Sequence, residues 1–393
     1  MESNNTDLAR DFKQIIENRH EYAKNWKESK HGKVCGYLSN MVPEEYLYAA
    51  NVLPVRILPE PTTTPTSSTT HIQANRCACC HGSLEEGLRG NYDYLDGLVY
   101  VQTCLAQSLV FSSWVMHLGT SWTYKMFGPW REIPSANNLY QSYLNDYKAA
   151  VEGWCGISIT EEGLSKALSV FKENRALMSQ VYELRKKDPP LIKGSEAQRM
   201  VLASMLMDKN EHNELLRRVL QQAEKTGRPQ ENPEKPVRVM IVGSGLSPLD
   251  LIEMLENLNA DVVIEDHCLG LRYFWDERQS TPGDEKPDDA IMTYYHQGRA
   301  KCAYQEWMAE KTISRFKNFI KDYQVEGIIW LEQAFCGTWQ WTIPEALAAF
   351  DEMGIPVLRL QRGRTIIKGR VKPQLETLLD RAKTNRNHVG GAR

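Results

Sequence analysis

One phrase, used twice, limits most what this chain can fold into. Asp96-Gly97 runs into Leu98-Val99-Tyr100-Val101, with Cys104 just beyond; Glu326-Gly327 runs into Ile328-Ile329-Trp330-Leu331, with Cys336 just beyond. An acid, a glycine and a short β-branched and aromatic run describe a strand buried on both faces of a parallel sheet. Parallel neighbours need long crossover connections, usually helical, and ligands of such sheets bind beyond the carboxyl ends of the strands. Each phrase therefore sets a thiol at a sheet edge where function collects. A second likeness joins residues 43–51 and the run Leu53-Pro54-Val55-Arg56-Ile57 to residues 344–354 and the run Ile355-Pro356-Val357-Leu358-Arg359. The expected fold is α/β: two doubly wound, Rossmann- or flavodoxin-like parallel-sheet halves.

Composition narrows the class. A chain of 393 residues with 42% hydrophobic and 25% charged content has enough apolar material for two or three globular domains. A net charge of −3, with no basic run or RNA-binding signature, excludes a nucleic-acid surface. The polar start is no signal peptide, and no apolar stretch reaches the ~18 residues that would span a bilayer. A cytoplasmic protein without membrane contact is expected. Nine cysteines in a reducing compartment are not a disulfide framework. Cys155 and Cys268 read as small buried hydrophobes, whereas Cys77, Cys79 and Cys80, followed by His81, form the kind of soft-ligand cluster that favours zinc or iron–sulfur.

Read in order, residues 4–29 form one surface helix, and Val34 to Leu38 and Leu53 to Leu58 form strands. The threonine- and serine-rich run 62–70 is a connection, or a lid over the cysteine cluster. Residues 105–126 carry Phe111, Trp114, Trp122 and Tyr124 as an aromatic helical stripe. Helices over 136–154, 160–186 and 194–225 make a helical insertion between the halves. The expected divisions are an N-terminal helix at 1–30, the first half with its cysteine motifs at 31–150, insertion and linker at 151–233, the second half at 234–382 and a tail, expected to be disordered, at 383–393.

The strand 237–242 and the following Gly243-Ser244-Gly245-Leu246-Ser247-Pro248 suggest a dinucleotide fingerprint, with Glu265 as the ribose acid. Pro248 stands where the third glycine should allow close helix–strand packing. It fits better as the first residue of a helix capped by Ser247. No NAD is therefore expected on this chain, and no ATP, since there is no Gly-x4-Gly-Lys-Ser/Thr loop. Asp266-His267-Cys268 follows the next strand and mixes acid, base and soft ligand. Lys301-Cys302-Ala303-Tyr304 opens a helix. Arg362, Arg364, Lys368 and Arg370 form a basic segment that is either a solvated face or a phosphate seat.

These segments together resemble the 2-hydroxyacyl-CoA dehydratase / benzoyl-CoA reductase family. The resemblance rests on Gly36-Tyr37-Leu38-Ser39-Asn40-Met41-Val42-Pro43-Glu44-Glu45, on the Asp96-Gly97 strand ending at Cys104, and on the strand ending near Cys336 with Gly354-Ile355-Pro356-Val357. Tyr182-Glu183-Leu184-Arg185-Lys186, Lys193-Gly194-Ser195-Glu196-Ala197 and the run from Asp266 to Trp275 look closest to the reductase branch, in its gamma or C-type subunit. Cys104-Leu105 and Cys336-Gly337 stand where the family often has Cys-Asp, and His81 where it often has Arg.

The resemblance implies a [4Fe-4S] cluster held by Cys77, Cys104 and Cys336, with Cys80, Cys35 and Cys302 as alternates. A double-cubane [8Fe-9S] cluster is the alternative, on Cys35, Cys77, Cys80, Cys104, Cys302 and Cys336. It implies an iron–sulfur subunit of an ATP-dependent aromatic acyl-CoA reductase, of the benzoyl-CoA type, that relays low-potential electrons for ring dearomatisation in anaerobic aromatic degradation. The implied partners are a sister substrate-side subunit, ATPase subunits with their own cluster, ferredoxin as upstream donor and the aromatic acyl-CoA. A 2-hydroxyacyl-CoA dehydratase subunit, a double-cubane reductase relative and a non-catalytic structural partner are the competing readings. His81 and Tyr100 are the guesses for proton donors.

Overall fold

The computed structural model describes residues 8–60, 64–128, 133–228, 232–243, 245–278, 286–301, 309–337, 339, 342–363 and 367–390. Two four-stranded sheets, each all parallel and flanked by helices, form the framework. The first contains β1 (Lys33–Tyr37), β2 (Val52–Arg56), β3 (Gly97–Gln102) and β4 (Trp122–Phe127) in the order β2-β1-β3-β4. The second repeats that order as β6-β5-β7-β8, from β5 (Val237–Gly243), β6 (Ala260–Asp266), β7 (Gly327–Gln333) and β8 (Val357–Arg362). In each sheet the chain steps outward from its first strand and then crosses back to the other side. The switch point therefore falls between β1 and β3, and between β5 and β7.

The twice-used acid-Gly phrase has the same task in both sheets. Asp96 accepts the Val34 N–H at 2.9 Å and returns its own N–H to Val34 O at 2.9 Å. Glu326 accepts the Arg238 N–H at 2.9 Å and returns its N–H to Arg238 O at 2.8 Å. The glycines then pair with the next residue along: Gly97 with Cys35 and Gly327 with Val239. The second sequence likeness does not hold in space. Leu53 lies in β2, whose counterpart is β6, whereas Val357 lies in β8, whose counterpart is β4.

The helices depart from the sequence reading at their ends. The N-terminal helix is two, Arg10–Glu17 and Arg19–Lys30, divided at Asn18, whose Nδ2 donates to Gln14 O at 3.0 Å; such local side-chain bonds compete with the helical ladder. The aromatic stripe ends at His117, Gly119 turns with φ +61°, and Trp122 opens the edge strand β4. The third insertion helix is also two, Gly194–Ser204 and Lys209–Thr226. Asp208 restarts it by accepting the N–H groups of Asn210 and Glu211 at 2.8 and 3.4 Å. The C-terminal helix runs Lys368–Gly390, so the expected tail is helical through residue 390; Arg386 forks onto Glu326 at 2.5 Å.

The insertion helices belong to the same core as both sheets. Phe12, Val99 and Met126 share one continuous apolar cluster with Val181, Met200, Met240 and Ile328. Helix Glu161–Lys186, capped by Thr160 with Glu161 and Glu162 in its first turn and Arg185 and Lys186 in its last, matches its charges to the helix dipole. It is fastened to both sides. Arg175 Nη1 reaches Glu45 Oε1 at 3.0 Å beside the first sheet, and Arg185 Nη2 reaches Glu265 Oε2 at 2.6 Å at the end of β6. Tyr182 also donates to Glu265, so this carboxylate is enclosed and fully occupied.

The segment ahead of Cys77 is pinned rather than free. Glu85, buried on helix Ala78–Leu88, accepts from Thr66 N and Oγ1 at 3.0 and 3.1 Å, Ser68 N at 2.9 Å and Arg89 Nε at 3.0 Å. That helix lies so close to the stretch after β2 that a Cβ at Gly82 would come within 2.4 Å of Pro59. Of the threonine- and serine-rich run, 62 and 63 lie outside the described residues.

Two outcomes are expected. Glu265→Ala leaves Arg185 buried without its counter-charge and should cost about 3–5 kcal/mol; urea unfolding checks it, and Arg185→Met with Glu265→Leu should recover most of the loss. For Glu85, burial acts to raise the carboxyl's pKa, but Ser68, Arg89 and Thr66 outweigh it and hold it at about 2. A depressed folded-state value means that its contribution is complete above the ordinary value of 4.5 and lost as pH falls from there towards 2. Hydrogen exchange over 64–76 should rise through that window, and Glu85→Gln should show the raised exchange already at pH 7.

Candidate functional site

The carboxyl edges of the two sheets enclose one cavity of about 80 Å³. Six cysteines line it: Cys77, Cys79, Cys80, Cys104, Cys268 and Cys336. Ser39, Asn40, Met41, Gln107, Gly245 and Trp339 complete much of the wall, with three cationic side chains, Arg56, Arg272 and Lys301.

Cys77 and Cys104 arrive by the same device. Cys77 is the N-cap of helix Ala78–Leu88 and Cys104 the N-cap of helix Leu105–His117, both in extended backbone. An N-cap points its side chain at unpaired N–H groups and the positive end of the helix dipole, which favours a thiolate. Cys104 Sγ accepts from Gln107 N at 3.4 Å. Cys77 Sγ lies 3.4 Å from Cys80 Sγ; the hydrogen bond between them and the N–H groups of the first turn, against the effect of burial, lower the Cys77 thiol to about 7. The same hydrogen bond and burial push Cys80 well up. Burial raises Cys104 to about 12, and the nearby sulfurs of Cys77, Cys336 and Cys268 add to the rise. Cys336 follows β7 through Phe335, which turns at φ +61°, and its N–H bonds Gln333 O at 3.0 Å.

The structure thus brings Cys77, Cys104 and Cys336 together, with Cys80 beside Cys77. Cys35 is elsewhere: it lies fully buried inside β1, with its Sγ on Gly36 O and Cys155 as a neighbour. Cys302 lies outside the described residues. Cys79, a member of the expected cluster, also lines the cavity, whereas Cys268 stands outside the ligand set expected from the sequence. Cys268 comes just after the end of β6, in the same strand-end position as Cys104, and its carbonyl accepts from Asn40 Nδ2.

The other candidates are occupied structurally. His81 bonds Ser68 Oγ at 3.3 Å through Nδ1 and Gln73 O at 3.2 Å through Nε2. Tyr100 donates to Cys104 O at 2.8 Å and accepts from Thr103 N at 3.1 Å, shaping the Cys104 turn from behind. Asp266 is bonded to Arg272 and Arg315, and His267 is buried, with its pKa lowered to about 3 by burial. Gly243 turns with φ +93°, where a Cβ would meet Leu331 O at 2.5 Å, while Gly245 faces Cys79 across the cavity. Pro248 is itself the N-cap, and Ser247 makes no capping bond; Ser244 lies outside the described residues. In the basic segment, Arg362 is buried against Asp250 and Ser247 O, and Arg364 lies outside the described residues.

The donor set decides which group this cavity suits. Among the described residues no carboxylate lines it, so a hard oxygen-seeking cation would find no charged oxygen ligand there. Nor, among them, do three His, Cys, Asp or Glu side chains converge closely enough for a single metal ion. Dispersed soft thiols with cationic neighbours fit a larger anionic body, an iron–sulfur cluster, whose iron takes cysteine thiolates.

The family described as 2-hydroxyglutaryl-CoA dehydratase, D-component, matches residues 39–381. The (R)-phenyllactyl-CoA dehydratase beta subunit of Clostridium sporogenes is 25% identical over 355 residues, 90% of this chain and 92% of that one. The C subunit of the benzoyl-CoA reductase of Thauera aromatica is 25% identical over 319 residues, 80% of this chain and 81% of that one. The beta subunit of the (R)-2-hydroxyglutaryl-CoA dehydratase of Acidaminococcus fermentans is 21% identical over 335 residues, 84% and 86% of the two chains. These relatives are subunits of acyl-CoA reductase and dehydratase enzymes, and no helix among the described residues is long and apolar enough to cross a membrane. With a match that takes in β2 to β8 and all six thiols of the cavity, the chain belongs to the 2-hydroxyglutaryl-CoA dehydratase D-component family.

Proposed function

We propose that this chain is the iron–sulfur subunit of an ATP-dependent aromatic acyl-CoA reductase of the benzoyl-CoA type, working in the cytoplasm with a sister subunit. The observation that carries the reading is the convergence of Cys77, Cys104 and Cys336 from both sheets on one cavity. These three would hold a [4Fe-4S] cluster, which when bound supplies one-electron transfer at low potential. The chain's own contribution is to present thiolates from helix N-termini and to keep water from the sulfurs with Met41 and Trp339. Because the chain has no phosphate loop, ATP hydrolysis falls to separate ATPase subunits fed by ferredoxin.

A dehydratase subunit is the second reading, favoured by the match to the phenyllactyl-CoA enzyme over 90% of the chain against 80% for the reductase. In that reading the same site delivers its electron to a 2-hydroxyacyl thioester rather than to a ring. Joint expression with the sister and ATPase subunits, followed by anaerobic assay on benzoyl-CoA and on 2-hydroxyacyl-CoA, tests the choice. Turnover of only the hydroxyacyl thioester overturns the reductase reading.

Purified anaerobically, the chain should carry ~4 iron and ~4 acid-labile sulfide; ~8 iron with ~9 sulfide indicates the [8Fe-9S] double cubane. Cys104→Ala and Cys336→Ala should each lose most of the iron and lower the melting temperature, because a bound metal group stabilises only the folded chain. Cys77→Ala should do the same when combined with Cys80→Ala. Cys155→Ala should keep full iron. Full loading in Cys104→Ala or Cys336→Ala removes those residues from the ligand set.

A further inference from the structure

Arg56 stands apart from the other buried arginines. It ends β2, opposite Tyr37, with its guanidinium 5.4 Å from the Tyr37 ring centroid. It is 5% exposed, yet its Nε and Nη1 find no hydrogen-bond partner among the described residues. Elsewhere the pattern differs: Arg185 has Glu265, Arg272 and Arg315 have Asp266, and Arg238 has the carbonyls of Tyr323 and Arg185. An unpaired buried charge costs several kcal/mol. A fold carries such a charge without strain when the counter-charge comes from something other than its own carboxylates.

The wall that Arg56 joins is the thiol cavity, where no carboxylate among the described residues answers it. The backbone around it is fixed. Arg56 N donates to Met205 O at 2.9 Å, between the two insertion helices, and Ile57 N to Tyr37 O at 3.0 Å. The side chain therefore leaves from a fixed point, and its planar set of donors suits an extended anion better than a lysine ammonium would. The anionic groups available to this cavity are thiolates and whatever they bind.

We infer that Arg56 is the built-in counter-charge of an anionic iron–sulfur cluster in the thiol cavity, supplying the N–H donors and positive charge that hold its reduction potential above the value the apolar wall alone would set. The inference rests on the cluster reading of the proposed function. Reduction adds an electron to an already negative group, so a nearby guanidinium stabilises the reduced form more than the oxidised one, and hydrogen bonds to sulfur act in the same direction.

The test is an anaerobic redox titration of the reconstituted chain, wild type against Arg56→Met and Arg56→Lys, followed by electron paramagnetic resonance and by iron and sulfide analysis. Arg56→Met should keep its iron, because every thiol remains, but at fixed potential its reduced-to-oxidised ratio should fall at least tenfold, about 59 mV for one electron. Arg56→Lys should stay within that tenfold of wild type. Full iron with an unchanged ratio in Arg56→Met overturns the inference while leaving the cluster in place. If Arg56→Met fails to load, Arg56→Gln is compared with Arg56→Lys, and equal ratios overturn it. Wild-type protein that binds no iron at all overturns both the inference and the reading beneath it.

Discussion

The structure depends first on a short two-way clamp between an acid and a strand. Asp96 and Glu326 each close a pair of hydrogen bonds with the second residue of the partner strand, Val34 and Arg238. A parallel ladder slipped by one residue would turn every side chain to the other face. Fixing the first pair therefore fixes the faces of β3 and β7, and with them where the chain leaves the sheet. Cys104 and Cys336 emerge at the carboxyl edge because the clamp is at the opposite end. Lys27 on Asp96, at 2.8 Å, and Arg386 on Glu326 complete the bonding of the two acids from outside.

That clamp also explains which parts of the fold are legible in the sequence. β3 and β7 are central and enclosed on both faces, so their apolar runs are continuous and end in a marked thiol. β4 is a half-exposed edge, written in the same aromatics as the helix before it, so nothing in residue type separates them; the break lies in the backbone at Gly119. The tail reads as polar enough to be loose, but Arg386 and Asn385 each find partners distant in sequence, Glu326 and Gly354 O. Local composition cannot show such ties.

The site divides in the same way. Cys77 and Cys104 are legible because each stands at a boundary, just before a helix or just after a strand, where a side chain must point out of the element. Cys35 sits in mid-strand, and there the pleat decides its direction: into the core beside Tyr147 rather than to the edge. Cys268 reads as an isolated thiol, although it follows β6 as closely as Cys104 follows β3. The rule that selects one selects the other once the strand order is known, and the strand order is set by long-range pairing. Arg56 carries no signal, since an arginine at the end of a strand is ordinarily paired or solvated; what marks it is that no carboxylate among the described residues lines the cavity.

A cavity between two sheets keeps its shape only if the sheets cannot move apart, and no strand pairs across them among the described residues. The tie comes from helix Glu161–Lys186, whose Arg175 grips Glu45 beside the first sheet and whose Arg185 grips Glu265 at the end of β6 in the second. The Arg185–Glu265 pair is buried and the Arg175–Glu45 pair largely so, and buried pairs are poor sources of net stability compared with apolar packing. Their value here is geometric. A guanidinium donates to its carboxylate in few orientations, so the two-pronged Arg185–Glu265 pair and the single Arg175–Glu45 contact on one helix set the spacing of two rigid bodies more narrowly than interdigitated leucines would. The thiols contributed by opposite sheets, Cys104 on one side and Cys268 and Cys336 on the other, are then held at the separation that these pairs dictate.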